Sequence, residues 1–426
     1  MISPMCINVK KNLQNIKIMT RKKVFIVGGG PAGLMAAWAL AGDFEVHLFE
    51  KEKMYGQKLL LAGKGGLNLS KNLPLDQFLS NYSPPGFLDE AIRNFGLDEL
   101  RAWLAGINIP TFVGSSGKIF PEKGISPAQV LKAILEELSG KGVIFHLKHR
   151  LQSFAEDMNF VFESPDGMLA SKADFAVLAF GGASWPKTGS DGEWVKLFKR
   201  AGINTRAFQP SNCGINIAWP ESVRLHHEGK PLKNIVVVAN GRESKGEAII
   251  TSYGMEGSAV YGVVPALREL MDNGREMNIS VDLKPLNTID SLLKKINFSN
   301  PTTKQYSQLL HLDALQMALL KAFTDRDSFV QPIQFVQSIK SLTVPVQSLQ
   351  PLETAISSAG GLDLCEINPD FSLKKYPEIF VAGEMLDWDA PTGGFLLQGC
   401  FACGRFAAEG IRQKVDIEDE AQKSEH

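Results

Sequence analysis

The sequence predicts an α/β protein whose parallel sheet is interrupted by an inserted domain. Three observations carry that reading. A strand, a glycine-rich turn, a helix and a second strand follow one another between Val24 and Glu50. A late strand, residues 379–382, runs into a second glycine-rich stretch that opens a last helix. Between about Arg206 and Val344 the texture changes, and no glycine-rich nucleotide turn occurs there.

The elements follow in order. Residues 1–21 are rich in Lys and Asn and lack an apolar stretch of signal-peptide type. Met19 reads as a natural start, so residues 1–18 are expected to be an extension or a start-site artefact. Residues 24–27 form a short buried-strand run, 28–33 a turn, 34–41 a helix, and 46–49 a second strand closing in Glu50. Such a βαβ unit implies a parallel sheet with helices on its faces. Ser126-Pro127-Ala128-Gln129 opens a helix with an N-cap Ser, Pro in the first turn and Gln at the capping-box position. Val130, Ile134, Leu135 and Leu138 recur on one face of it, and Gly140 is expected to stop it. Strands are expected over residues 143–147 and 176–180, the latter ending in Gly181-Gly182. In the middle stretch, β-rich runs at 235–239 and 248–251 accompany a polar helical region, about 290–322. The chain therefore divides into a sheet domain of residues 22–205 and 345–414, an insertion of residues 206–344, and an acidic tail, 415–426, expected to fray.

Composition narrows the function classes. Of 426 residues 44% are hydrophobic and 21% charged, enough for a real core. A net charge of -1 gives no global field toward nucleic acid or an anionic membrane. No apolar run approaches the ~20 residues of a membrane span. The five cysteines (Cys6, Cys213, Cys365, Cys400, Cys403) are too scattered for a disulfide framework, and a reduced cytoplasm is the expected location. Cys400 and Cys403 form a CxxC without a second pair, so core cysteines are expected there rather than a metal site. The seven histidines show no metal spacing, and no metal is expected.

The strongest motif is Gly28-x-Gly30-x-x-Gly33. Gly28 permits the tight turn, Gly30 lets a pyrophosphate approach the backbone, and Gly33 allows close packing of helix on strand. The helix beginning after Pro31-Ala32 then offers its N–H groups and positive dipole end to the phosphates. Glu50, 22 residues after Gly28, can accept from both ribose hydroxyls, with Lys51 following it. FAD and NAD(H) share this fingerprint. The C-terminal stretch favours FAD: Gly383 and Glu384 follow the last strand, then Asp387, and Thr392-Gly393-Gly394-Phe395 opens the last helix. A helix end at the pyrimidine edge of a flavin would stabilise negative charge on the reduced ring. Lys58, Gly63, Lys64, Gly65, Gly66 and Asn68 add backbone amides and lysines able to wrap phosphates or the isoalloxazine. Gly181 and Gly182 end a strand where close cofactor approach needs glycine.

Taken together, segments 28–33, 56–68, 181–192, 246–258, 360–361 and 383–404 resemble the BaiN/YhiN-like NAD(P)/FAD-dependent flavoproteins over residues 22–412. The resemblance implies a Rossmann-type FAD domain with an inserted β-barrel-like and helical domain. It also implies a flavin-dependent oxidoreductase, filled from NAD(P)H, that passes hydride from flavin N5 to an electron-poor substrate such as an activated C=C bond. Two other readings stay open: reduction of a uridine in ribosomal RNA, and a flavin-bound sensor without turnover. The chain departs from the family pattern at Gly66-Leu67, where many relatives carry Arg-Cys, and at 254–258, where Ser-Gly-Pro is more usual. No second GxGxxG unit is present, so NAD(P)H is expected to bind transiently. Tyr253 and Cys213 are the candidate proton donors; the catalytic residues are otherwise unassigned.

Overall fold

The computed structural model describes residues 21–63, 66–296 and 303–424. The N-terminal extension with Cys6, and the expected cofactor residues Lys64 and Gly65, lie outside the described residues.

Five parallel strands form the central sheet, in the order Ile379–Val381, Phe175–Leu178, Lys23–Val27, Glu45–Glu50, Ile144–Leu147. Lys23–Val27 lies in the middle, and its unbroken apolar run suits a strand covered on both faces. The first helix, Pro31–Leu40, starts three residues earlier than the sequence suggested. Pro31 explains this: its fixed φ and missing N–H suit the first helical position, with Gly30 as N-cap. The helix is buried nearly all round, between the sheet and the last helix, Phe395–Ser424.

Ser126 caps the helix Pro127–Gly140 through the expected box with Gln129. The tail does not fray as expected. The last helix continues to Ser424, held by Arg412 on Asp43 and Ala39 and by Lys22 on Glu418. Charge alone does not end a helix when its cations and anions find partners along its length.

The insertion builds a separate seven-stranded antiparallel sheet. Leu342–Pro345 pairs with Asn278–Asp282 on one edge, and Ser348–Leu349 with Ile215–Asn216 on the other. One stretch of chain therefore serves both edges and curls the sheet into a barrel-like form. The apolar core splits the same way. One cluster runs from Val24 to Ile203 and resumes from Leu362 to Ile411; the other runs from Cys213 to Ala355. Thr205–Ser211, paired with Ser357–Leu362, makes the passage between them.

Candidate functional site

The glycine turn lies at the C-terminal ends of the parallel strands, where open α/β sheets bind ligands. Gly28 has φ +116°, and a Cβ there would stand 2.2 Å from the Ala179 carbonyl oxygen. At Gly33 a Cβ would meet the Gly28 oxygen at 1.9 Å, so only glycine lets the helix sit on the turn. Gly30 differs: nothing lies within 4 Å of where its Cβ would be. The turn faces a cavity of about 260 Å³ lined by Gly28, Gly30, Pro31, Ala32, Glu50, Lys51, Lys58, Gly181, Gly383 and Glu384. Ten of the residues expected to bind cofactor thus meet at one cavity, though they span the chain from residue 28 to 384.

Glu50 stands beside the glycine turn. Its carboxylate accepts from Gly29 N at 2.8 Å and from Glu52 N at 2.9 Å. Burial nevertheless pushes its pKa above the ordinary value, outweighing those two bonds. The lysines are already engaged: Lys51 pairs with Asp191 at 2.7 Å, and Lys58 donates to Glu384 at 2.8 Å and to Ser184 at 2.9 Å. Lys58 and Glu384 therefore act as a strap joining the two halves of the sheet domain rather than as bare phosphate charges.

Four of the remaining expected residues, Thr392, Gly393, Gly394 and Phe395, stand at the start of the last helix. Thr392 N donates to Asn212 Oδ1 at 3.0 Å, and a Cβ on Gly394 would come within 2.6 Å of the Ser70 backbone. Gly393 lies near Lys118, and Phe395 is buried against Phe78 and Tyr82. Asp387 accepts from Gly360 N at 3.0 Å and faces Arg206 at 3.3 Å. Gly182 sits against Ser358, Gly63 against Pro127, and Gly66 beside Phe120. None of these lines the cavity, nor does Asn68.

Buried polar atoms provide a test of whether a cofactor fits. Ser190 Oγ and Gln57 Nε2 line the cavity, are buried, and have no hydrogen-bond partner within the protein. Asn68 Oδ1 and Ser70 Oγ are in the same condition, Ser70 packing against Gly394 at the start of the last helix. Buried polar atoms are nearly always bonded, so the two orphans in the cavity wall suit a polar ligand there. The residues present fit FAD. Ser190 and Gln57, with the cavity-lining Trp194, Arg150 and Arg200, went unread in the sequence because no spacing rule marks them.

The two candidate proton donors lie in and beside the insertion. Tyr253 donates its phenol hydrogen to Glu256 Oε2 at 2.6 Å, and burial with that carboxylate raises its pKa. Cys213 is buried and its thiol is pushed up to about 11, chiefly by desolvation. Neither lines the cavity. Cys400 and Cys403 are buried as well, their thiols raised by burial, that of Cys403 to about 12. Protonated, enclosed thiols suit packing better than exchange chemistry. Among the described residues no group of His, Cys, Asp and Glu has the arrangement of a metal site. No helix of these residues is long and apolar enough to cross a membrane.

The HI0933-like protein Rossmann domain model matches residues 22–410, taking in both halves of the sheet and the insertion. The chain belongs to that family. It is a flavoprotein oxidoreductase with a Rossmann core. Over 413 residues it is 25% identical to the 3-dehydro-bile acid delta(4,6)-reductase of Clostridium scindens, covering 92% of this chain and 99% of that one. Among solved structures it is similar to the 3-ketosteroid-delta4-(5alpha)-dehydrogenase of Rhodococcus jostii RHA1, with TM-score 0.49 and 15% identity over 92% of this chain and 96% of that one. It is also similar to the 3-ketosteroid delta1-dehydrogenase of Sterolibacterium denitrificans, with TM-score 0.47 and 13% identity over 93% and 100%.

Proposed function

We propose that this HI0933-like protein takes electrons from NAD(P)H and reduces an activated carbon–carbon double bond in a small apolar molecule. The observation that carries the reading is its end-to-end likeness to a reductase whose name places the reaction at delta(4,6). The cavity supports the cofactor part of it, because the glycine turn, Glu50 and Glu384 meet there.

FAD, when bound, supplies the hydride-transfer chemistry. Glu50 would accept from the ribose hydroxyls, and the turn at Gly28–Gly30 with the N-terminus of Pro31–Leu40 would receive the pyrophosphate. Lys58 and Glu384 hold the two sheet halves together over it. Asn68, Thr392, Gly393 and Gly394 would hold the ring, and the N-terminus of the last helix would favour negative charge on it. We assign residues 22–205 and 345–414 to the cofactor and 206–344 to the substrate side; two separate apolar clusters support a two-part division, although the second runs on to Ala355. Reduction of a C=C bond also needs a proton donor within about 3 Å of the second carbon, directly or through one water. Tyr253 is the candidate the geometry favours over the enclosed Cys213, because its hydrogen bond to Glu256 orients the phenol.

The test is to reduce the FAD-loaded protein anaerobically and mix it separately with enones, quinones and unmodified ribosomal RNA. Rapid reoxidation by enones, yielding saturated product, is the expected result. Reoxidation by RNA alone would move the reaction to a uridine, and reoxidation by quinones or oxygen alone would leave a generic flavin reductase.

A further inference from the structure

One buried ion pair joins the insertion to the sheet domain. Arg268, on the insertion helix Val264–Asp272, donates to Asp389 Oδ2 at 2.6 Å, with both side chains about one-tenth exposed. Ser211 Oγ lies 2.7 Å from each Asp389 oxygen, and Arg268 also donates to the Pro210 carbonyl at 3.0 Å. Desolvating two charges makes such a pair a poor source of stability, and an apolar pair of similar volume would pack as well. What the pair does supply is a fixed geometry.

Asp389 belongs to the segment between the last strand and the last helix. Its backbone exchanges hydrogen bonds with Ser83 in both directions, at 2.8 and 2.9 Å. Next to it, Asn212 donates to the Ala390 carbonyl at 2.8 Å and accepts from Thr392 N at 3.0 Å. The approach to Gly394 and Phe395 is thus held from three sides, and one of the three is a charge carried by the insertion.

We propose that Arg268 is a positioning residue: acting through Asp389, it fixes the start of the last helix against the flavin ring. The substrate-side unit then helps to set how well the site accepts negative charge on the flavin. This rests on the reading above that FAD lies with its ring at that helix end.

Sulfite is a suitable probe, since it adds to oxidised flavin and leaves negative charge on the ring. In FAD-loaded Arg268→Gln the sulfite dissociation constant should rise about three- to tenfold, the size of a displaced helix-end interaction. Asp389→Asn should do the same, and the double variant should be no worse than either single one, as for two residues acting as one unit. The flavin midpoint potential should move to more negative values in parallel. Ser211→Ala removes only a hydroxyl, and should give a smaller change of the same sign even where the charge variants do not fold. FAD-loaded variants that lose thermal stability but keep wild-type sulfite affinity and potential would overturn the proposal. A wild-type protein that binds no FAD would overturn the underlying reading along with it.

Discussion

Glu50 faces two opposing demands, and they give its titration a direction. Burial raises its pKa above 4.5, so the folded, ligand-free protein holds its proton more tightly than the unfolded chain does. Glu50 therefore favours folding most at low pH, and that contribution is lost as pH rises through the folded pKa. Ribose hydroxyls would donate to the ionised form and pull the other way, so FAD affinity should increase with pH from about 4.5 upward and then level off. Titrating the apoprotein with FAD across that range checks this; a flat profile in wild type would contradict it. Glu50→Ala should weaken binding by about 1.5–3 kcal/mol for each hydrogen bond lost to a charged acceptor. Gly30→Val separates binding from folding. Its Cβ enters open space, so the variant should keep wild-type stability yet lose FAD, because the branch stands where the pyrophosphate approaches. Measuring melting temperature and FAD titration on the same sample tells the two effects apart. Both residues were legible in the sequence because the fingerprint ties role to spacing. Ser190 and Gln57 were not, because their only mark is a buried polar atom left without a partner.

At the scale of elements, local chemistry was the legible part. Ser126 and Gln129 announce their helix, and Pro31, by its preference for the first helical position, marks where the first helix starts. The reach of the last helix is not legible locally because its support is long-range: Asp43 and Lys22 are hundreds of residues from Arg412 and Glu418. Its third turn packs closely on the first helix. A Cβ on Gly404 would come 2.1 Å from the Ala32 carbonyl oxygen, a backbone atom that cannot swing aside. Gly404→Ala should therefore force the two helices apart and cost about 1–3 kcal/mol, as overpacking does. Chemical denaturation measures that loss, and FAD affinity should fall with it, since Ala32 lines the cavity. A variant as stable as wild type would show that the helices have room to move.

Across the whole molecule, the chain leaves the sheet domain once and returns, and the return could be read only roughly from sequence. Ile215 pairs with Leu349 across more than a hundred residues, a register that no local pattern encodes. The change of texture near Arg206 was visible, but strands of the insertion's sheet extend beyond the expected boundary at 344. The junction with Arg268 and Asp389 was not legible either, since single charges far apart in sequence carry no periodic signal. The chain has no second glycine fingerprint, so stopped-flow reduction by NAD(P)H should show a high apparent dissociation constant. Saturation at low micromolar nicotinamide would instead reveal a dedicated site. The central claim, that this HI0933-like flavoprotein reduces an activated C=C bond, meets its most direct test in one anaerobic turnover. Protein reduced stoichiometrically is mixed with a steroid-like enone, and the product is read by mass. The account predicts one saturated product, heavier by two hydrogens, for each flavin reoxidised. Enone recovered unchanged, with the flavin still reduced until a quinone or oxygen is added, would contradict it.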